Sequence, residues 1–313
     1  MARANKSIYS ALAANLLIAV TKFIAGAFTN SSSMIAEGIH STVDTSNQIL
    51  LLYGLKRSVK PPDKYRPFGY GKELYFWSFI VSIMIFGLGG VVSISQGITH
   101  MRHPENLVNP IWNYLVLALS FVFEGVSLII AIREFDKTRK GLPWWKAIIK
   151  SKDPSGFLVL FEDGAAVLGL VIVFVFMVLS HNLNMPVLDG LASVLVGTLL
   201  IFVSFILARE SRSLLMGEGL TPETQQKLKE LVQADQDVIE LKSLLSTYQS
   251  PREVLLVLIL TFRADLRTEE ITTAIDRLRG KIKLEYDIIK FVIIQPQSVN
   301  VPEKAESGDI YLK

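Results

Sequence analysis

The sequence predicts an α-helical membrane protein with six transmembrane helices, followed by a small α+β domain. Three observations lead there. Half of the 313 residues are hydrophobic and the mean hydropathy is +0.39, well above an ordinary soluble chain. The apolar residues gather in long runs within residues 1–210, whereas 211–298 reads as a mixed soluble sequence and 299–313 as a tail. Basic residues fall in alternate connections between the runs, as they do when a chain crosses a bilayer repeatedly.

Six runs reach the ~20 residues needed to span hydrocarbon: Ile8 to Phe28, Met34 to Leu55, Leu74 to Thr99, Ile111 to Ile132, Phe157 to Leu179 and Val187 to Leu207. The start of the chain is too polar before Ala11 for a signal peptide and lacks a small-residue cleavage site, so the first run is expected to be retained. Arg3 and Lys6 precede the first run. Lys56, Arg57, Lys60, Lys64, Arg66 and Lys72 separate the second and third, and Arg133, Lys137, Arg139, Lys140, Lys146, Lys150 and Lys152 separate the fourth and fifth. The intervening connections hold a single Arg102. The positive-inside rule then puts both termini in the cytoplasm, with the chain multi-pass in the inner (plasma) membrane if it is bacterial.

Beyond residue 210 the order is helix, strand, strand, helix, strand. Thr221-Pro222-Glu223 opens a helix with a capping Thr and Pro at its first position. Val238 to Leu245, Val254 to Phe262 and Ile288 to Ile294 have strand composition, and Thr268 to Leu278 is amphipathic with helical period.

The second run is the unusual one. Glu37, His40, Ser41, Asp44, Asn47 and Gln48 fall on one side of a helix. Ionisable groups inside hydrocarbon cost several kcal/mol unless they face protein or a watery path, so such a stripe marks a functional site. His40 and Asp44, one turn apart, project an imidazole and a carboxylate that can share one ion. In the fifth run, Asp153-Pro154 reads as a helix start and Glu162-Asp163 follows two turns later. At 1.5 Å per residue, Asp44 lies ~15 Å from the outer end of its run and Asp163 ~13 Å from the inner end of its own, so both reach mid-membrane. His40, Asp44, Asp163 and Glu162 are therefore the expected ligands of a divalent cation, the alternative being that the acid pair binds Lys22 or backbone amides.

Other intramembrane polar residues carry two readings each. Asn15 and Lys22 either line a cation path or serve structure, Asn15 by bonding a neighbouring helix and Lys22 by reaching to the interface. Glu124, one turn after Ser120, must be paired or protonated at its depth and is a candidate for transport. Asp189 is expected to stabilise the start of its own helix.

These residues resemble the cation diffusion facilitator, or zinc transporter, family. The resemblance rests on His40-Ser41-x-x-Asp44, on the loop Pro61-Pro62-Asp63-Lys64-Tyr65-Arg66-Pro67-Phe68-Gly69-Tyr70-Gly71-Lys72-Glu73, and on Asp163, and it covers nearly the whole chain. It implies a homodimer that exports divalent cations, usually Zn2+, in exchange for protons. The metal is then the transported substrate, no cofactor is involved, and the C-terminal domain is ferredoxin-like and mediates dimer contacts. His40 and Asp44 match one ligand pair and Asp163 the aspartate of the other. The partner of that aspartate, a His or Asp four residues earlier in many relatives, is here Val159, with Glu162-Asp163 in its place as in one subgroup. Arg66 stands where relatives often have a loop histidine, so no loop metal site is expected.

Composition narrows the chemistry further. Residues 1–210 carry 18 basic and 13 acidic side chains and the remainder 14 and 16, too little positive charge for nucleic acid. With no cysteine there is neither a disulfide nor a thiolate site. Imidazole with carboxylate suits Zn2+, although oxygen-rich ligation leaves Mn2+ and Fe2+ open. The expected function is proton-coupled export of divalent cations by alternating access around a midplane site. The alternatives are a passive channel-like or sensory protein with a cation site, or a metal hydrolase with Glu37 as base. Absence of a Gly-rich phosphate loop and of His-Glu-x-x-His weakens an ATPase or a metalloprotease, so no enzyme is expected. The four histidines, His40, His100, His103 and His181, all precede residue 211. The C-terminal carboxylates Asp265, Glu269 and Glu285 alone would make a hard, weak site, so the dimer is expected to form there by apolar and sheet contacts without metal.

Overall fold

The computed structural model describes residues 2–105, 111–139, 141, 143, 144, 147 and 151–297, with side chains from Asn15 onward except Thr138 and Ser155. The tail expected over 299–313 lies outside them, as do Lys140, Lys146 and Lys150. The chain divides into two compact units between Met216 and Gly217.

The first unit is all helix. α1 (Ala2–Thr29) and α2 (Ser32–Ser58) pack side by side through a tight turn at Asn30. α3 (Glu73–Met84) continues through a π-helical stretch, Ile85–Val91, into α4 (Val92–Arg102). α5 (Ile111–Thr138), α6 (Pro154–Leu183) and α7 (Val187–Met216) complete the bundle. α1 lies on α2, α5 on α6, and α7 on both α6 and α4. Four helices among the described residues are long and apolar enough to cross a membrane: Glu73–Arg102, Ile111–Lys137, Gly156–Leu183 and Val187–Met216. The expected count was six. The other two are as long, at 28 and 27 residues; the polar stripe of α2 lowers its apolarity, and α1 is apolar over Asn15–Thr29, the part of it whose side chains are described.

Helix ends follow local chemistry. Ser31 caps α2, its side-chain oxygen accepting from the Met34 N–H. Asp189, expected to serve its own helix, instead reaches across. It is fully buried and accepts from Ser31 Oγ (2.9 Å), the Ser33 N–H (3.0 Å) and Ser33 Oγ (2.5 Å), which ties the start of α7 to the start of α2. The α2–α3 connection is held by Asp63, which accepts from the N–H groups of Tyr65 and Arg66 and from the Tyr70 hydroxyl at 2.6 Å. These donors, the Tyr70 hydroxyl foremost, hold the Asp63 carboxyl below its ordinary pKa.

The second unit is a three-stranded mixed sheet with two helices: α8 (Pro222–Gln233), β1 (Val238–Ser250), β2 (Glu253–Phe262), α9 (Thr268–Glu285) and β3 (Ile289–Gln297). The sheet order is β1-β2-β3, with β1 antiparallel and β3 parallel to β2. Thr221 caps α8 with Pro222 following, as the sequence suggests. β1 runs five residues past Leu245, because Ser246 to Ser250 pair with Leu256 to Glu253 and the ladder overrides their polar composition. Buried Asp235 accepts from Arg277 at 2.6 and 2.9 Å, joining the loop after α8 to α9, and this guanidinium holds its carboxyl low.

Candidate functional site

Helix α2 turns its polar side inward. Glu37, His40, Ser41 and Asn47 are buried, whereas Ile49 on the other face is exposed. Helical period therefore converts the pattern into a polar seam aimed at α1, α5 and α6. Those helices contribute Lys22, Glu124 and the pair Glu162-Asp163, the last two buried at 7% and 8% exposure.

A cavity of about 30 Å³ lies where the four helices meet. Asn15 lines it from α1; Ser41, Asp44 and Gln48 from α2; Phe123, Glu124 and Ser127 from α5; Val159, Glu162 and Asp163 from α6. It has room for a water or a small ion, and four carboxylates face it. The lining includes Asp44, Asp163 and Glu162, three of the four expected ligands. His40 meets it at Asp44, with Nε2 3.4 Å from Asp44 Oδ2 and no hydrogen-bond partner of its own.

Each acid of the α6 pair has a separate partner. Adjacent helix positions diverge by about 100°, and accordingly Glu162 turns to α2 while Asp163 turns to α5. Asn47 Nδ2 donates to Glu162 Oε1 at 2.7 Å, and Ser127 Oγ donates to Asp163 Oδ2 at 2.7 Å. In this arrangement no group of three or more His, Asp or Glu side chains among the described residues is placed to hold a metal ion. Neither Asn47 as the partner of Glu162 nor Ser127 was picked out from the sequence. Asn47 belongs to the polar stripe, but Ser127 gives no signal beyond its place one turn after Glu124.

Beside the cavity lies a buried ion pair. Lys22 Nζ donates to Glu37 Oε2 at 2.9 Å and to Ser41 Oγ at 2.8 Å, and stands 4.0 Å from Glu124 Oε1. Both Lys22 and Glu37 are fully buried, so Lys22 neither reaches to an interface nor binds the acid pair of α6. Glu37 Oε1 faces Gly169, where a Cβ would come within 3.0 Å of it. Held in this way, Glu37 does not stand as the free base that a hydrolase would need. Asn15 Nδ2 donates to Gln48 Oε1 at 3.3 Å, bonding α1 to α2 while also lining the cavity.

A small polar cavity between four helices, with carboxylates from three of them, has the chemistry to attract a cation. The model of the cation efflux transmembrane domain matches residues 8–216, about two thirds of the chain. The chain belongs to the cation efflux, or cation diffusion facilitator, family. Within it, the chain is 39% identical over 235 residues to the mouse (Mus musculus) proton-coupled zinc antiporter SLC30A9, mitochondrial, an alignment covering 74% of this chain and 41% of that protein. It is 34% identical to metal tolerance protein C4 of Arabidopsis thaliana, over 74% of this chain and 51% of that one. It is 27% identical to the manganese efflux system protein MneP of Bacillus subtilis, over 91% of this chain and 92% of that one. The chain spans about 41% of the length of the mouse relative. The cation efflux family consists of membrane transporters and not enzymes, and a metal ion is its substrate, not its cofactor.

Proposed function

We propose that this chain exports divalent cations from the cytoplasm, Zn2+ foremost, in exchange for protons, by alternating access around the cavity between α1, α2, α5 and α6. The convergence of Asp44, Glu124, Glu162 and Asp163 on one small cavity inside apolar helices carries this reading. Carboxylates crowded in a low-dielectric site repel one another, and a divalent ion or protons relieve that repulsion. The two therefore compete for the same groups, which is the physical basis of exchange. His40, Asp44, Asp163 and Glu162 are the ligands, with His40 in its neutral form. The relative named a proton-coupled zinc antiporter supports both the ion and the coupling.

The reading includes six spans, with α1 and α2 crossing the membrane beside the four apolar helices, and both termini in the cytoplasm. The unit from Gly217 is then a cytoplasmic ferredoxin-like domain, through which two copies pair by apolar and sheet contacts without metal. A second reading, an exporter preferring Mn2+ or Fe2+, is favoured by the cavity lining itself. That lining offers oxygen donors and does not include His40. The relative named a manganese efflux protein points the same way.

Purified protein in liposomes with an imposed pH gradient tests both. Zn2+ movement driven by the gradient and lost in His40→Ala and Asp44→Ala is the expected result. Flux that ignores the gradient would indicate a passive path, and faster carriage of Mn2+ than of Zn2+ would favour the second reading.

A further inference from the structure

We propose that Asn47 is a further residue of the transport site: its carboxamide holds Glu162 and, when an ion binds, turns to offer its oxygen to the ion. The inference rests on the transport reading above and names a ligand that reading does not contain.

Asn47 lies one turn beyond Asp44, on the same face of α2, and is fully buried. Its Nδ2 donates to Glu162 Oε1 at 2.7 Å, across 115 residues of chain. Its Oδ1 is buried and has no hydrogen-bond partner. A buried amide oxygen is expected to be satisfied; here Oδ1 gives up no hydrogen bond when the carboxamide turns, and a cation would supply the partner it lacks.

Asn47 does not line the cavity itself but meets it through Glu162, and the lining explains why such a donor is needed. Val159 occupies part of the lining and offers nothing to a metal. Asp163 is drawn to α5 by Ser127 and Glu162 to α2 by Asn47, so the α6 acids are parted and no three ligands are gathered. Asn47 Nδ2 engages Glu162 Oε1, so an ion that binds this oxygen must displace the amide nitrogen. Half a turn of the carboxamide about its last side-chain bond exchanges nitrogen for oxygen without moving the backbone. An amide oxygen facing a carboxylate is repulsive unless a cation lies between them, so the turn takes place only with the ion in place. Asn47 thus keeps Glu162 aimed at α2 and completes the oxygen set once an ion is bound. A neutral hard donor matters more to Mn2+ than to Zn2+.

The test compares full-length wild type, Asn47→Leu, Asn47→Asp, Glu162→Gln and the Asn47→Leu/Glu162→Gln double variant. KM and kcat for Zn2+ and Mn2+ are read in liposomes, and Zn2+ affinity by titration calorimetry on the purified protein. Loss of one oxygen donor is expected to raise KM for Zn2+ roughly tenfold in Asn47→Leu, and that for Mn2+ further, with kcat changed less than about threefold. Asn47→Asp keeps an oxygen and is expected to return to within about threefold of wild type. In the Glu162→Gln background Asn47→Leu should add almost nothing, because the two side chains act as one unit. Unchanged KM and affinity in Asn47→Leu, or an equal loss in the Glu162→Gln background, would overturn the proposal. If Asn47→Leu fails to fold, Asn47→Ser, which is too short to reach the ion, is expected to show the same loss, and wild-type affinity in it is an equally decisive negative. Wild type that binds Zn2+ but carries none would count against export alone, since calorimetry still decides the part of Asn47.

Discussion

Lys22 shows how little of a buried network can be read from one helix. Its ammonium is removed from water entirely and is held by Glu37 and Ser41, 15 and 19 residues further on. From the sequence, a lysine in an apolar run could line a path or reach to the interface, and nothing in its neighbours decides between them. The deciding quantity is the rotation of α1 against α2, which is fixed by packing at Gly26 and Gly38, where an added Cβ would strike Ile35 and Phe23. The stripe of α2, by contrast, was legible, since six polar residues at helical spacing in a hydrophobic run have no other economical explanation. Removing one partner of a buried ion pair leaves the other charge without compensation, which costs about 3–5 kcal/mol. Lys22→Met should therefore yield protein that aggregates or melts markedly lower in detergent, while Lys22→Met/Glu37→Gln, with neither member of the pair left charged, should recover part of the loss, Glu124 still lacking its nearby cation. A single variant as stable as wild type in a thermal melt would show that the pair is dispensable.

At the scale of elements, the apolar runs located the helices but not how closely two of them approach. Gly90 and Gly97 face Gly197 and Gly190 on antiparallel α7. A Cβ on Gly97 would lie 2.6 Å from the Gly190 carbonyl oxygen, and one on Gly197 would lie 2.7 Å from that of Gly90. Small residues at such crossings let backbones touch, and in lipid this packing supplies much of the association. The π-helical stretch Ile85–Val91 enters the same contact. Gly87, Gly89 and Gly90 make it locally soft, yet no apolar pattern separates a π from an α turn, so it was not foreseen. The two glycine pairs were equally hidden, because their partners lie about 100 residues apart in the chain. Gly97→Val should push the helices apart at a cost of about 1–3 kcal/mol or more, lowering Tm by about 5 °C. Gly125→Val on α5, where nothing lies within 4 Å of an added Cβ, is the control and should melt near wild type. Equal melting of the two variants would remove the crossing as a determinant of stability.

For the whole molecule, the layout of charge makes a claim about direction that side-chain geometry cannot. Basic residues concentrate in the connections after α2 and after α5, whereas the turn before α2 and residues 181–186 carry neither Lys nor Arg. With six spans, those two sets lie on opposite sides and the C-terminal unit joins the basic side; with four, one of these assignments must fail. The chain offers a clean way to decide, because it contains no cysteine and any introduced thiol is the sole reactive site. Lys64, Asn182 and Arg252 are all exposed, in the α2–α3 connection, at the end of α6 and in the β1–β2 turn. In intact cells, Asn182→Cys should react with a membrane-impermeant maleimide, while Lys64→Cys and Arg252→Cys should react only after the membrane is opened. The reverse pattern would turn the transporter over and make the basic side the outer one. Labelling of Lys64→Cys and Asn182→Cys from the same side would break the alternation itself, because α3 with α4, α5 and α6 lie between them and an odd number of crossings must separate the two positions.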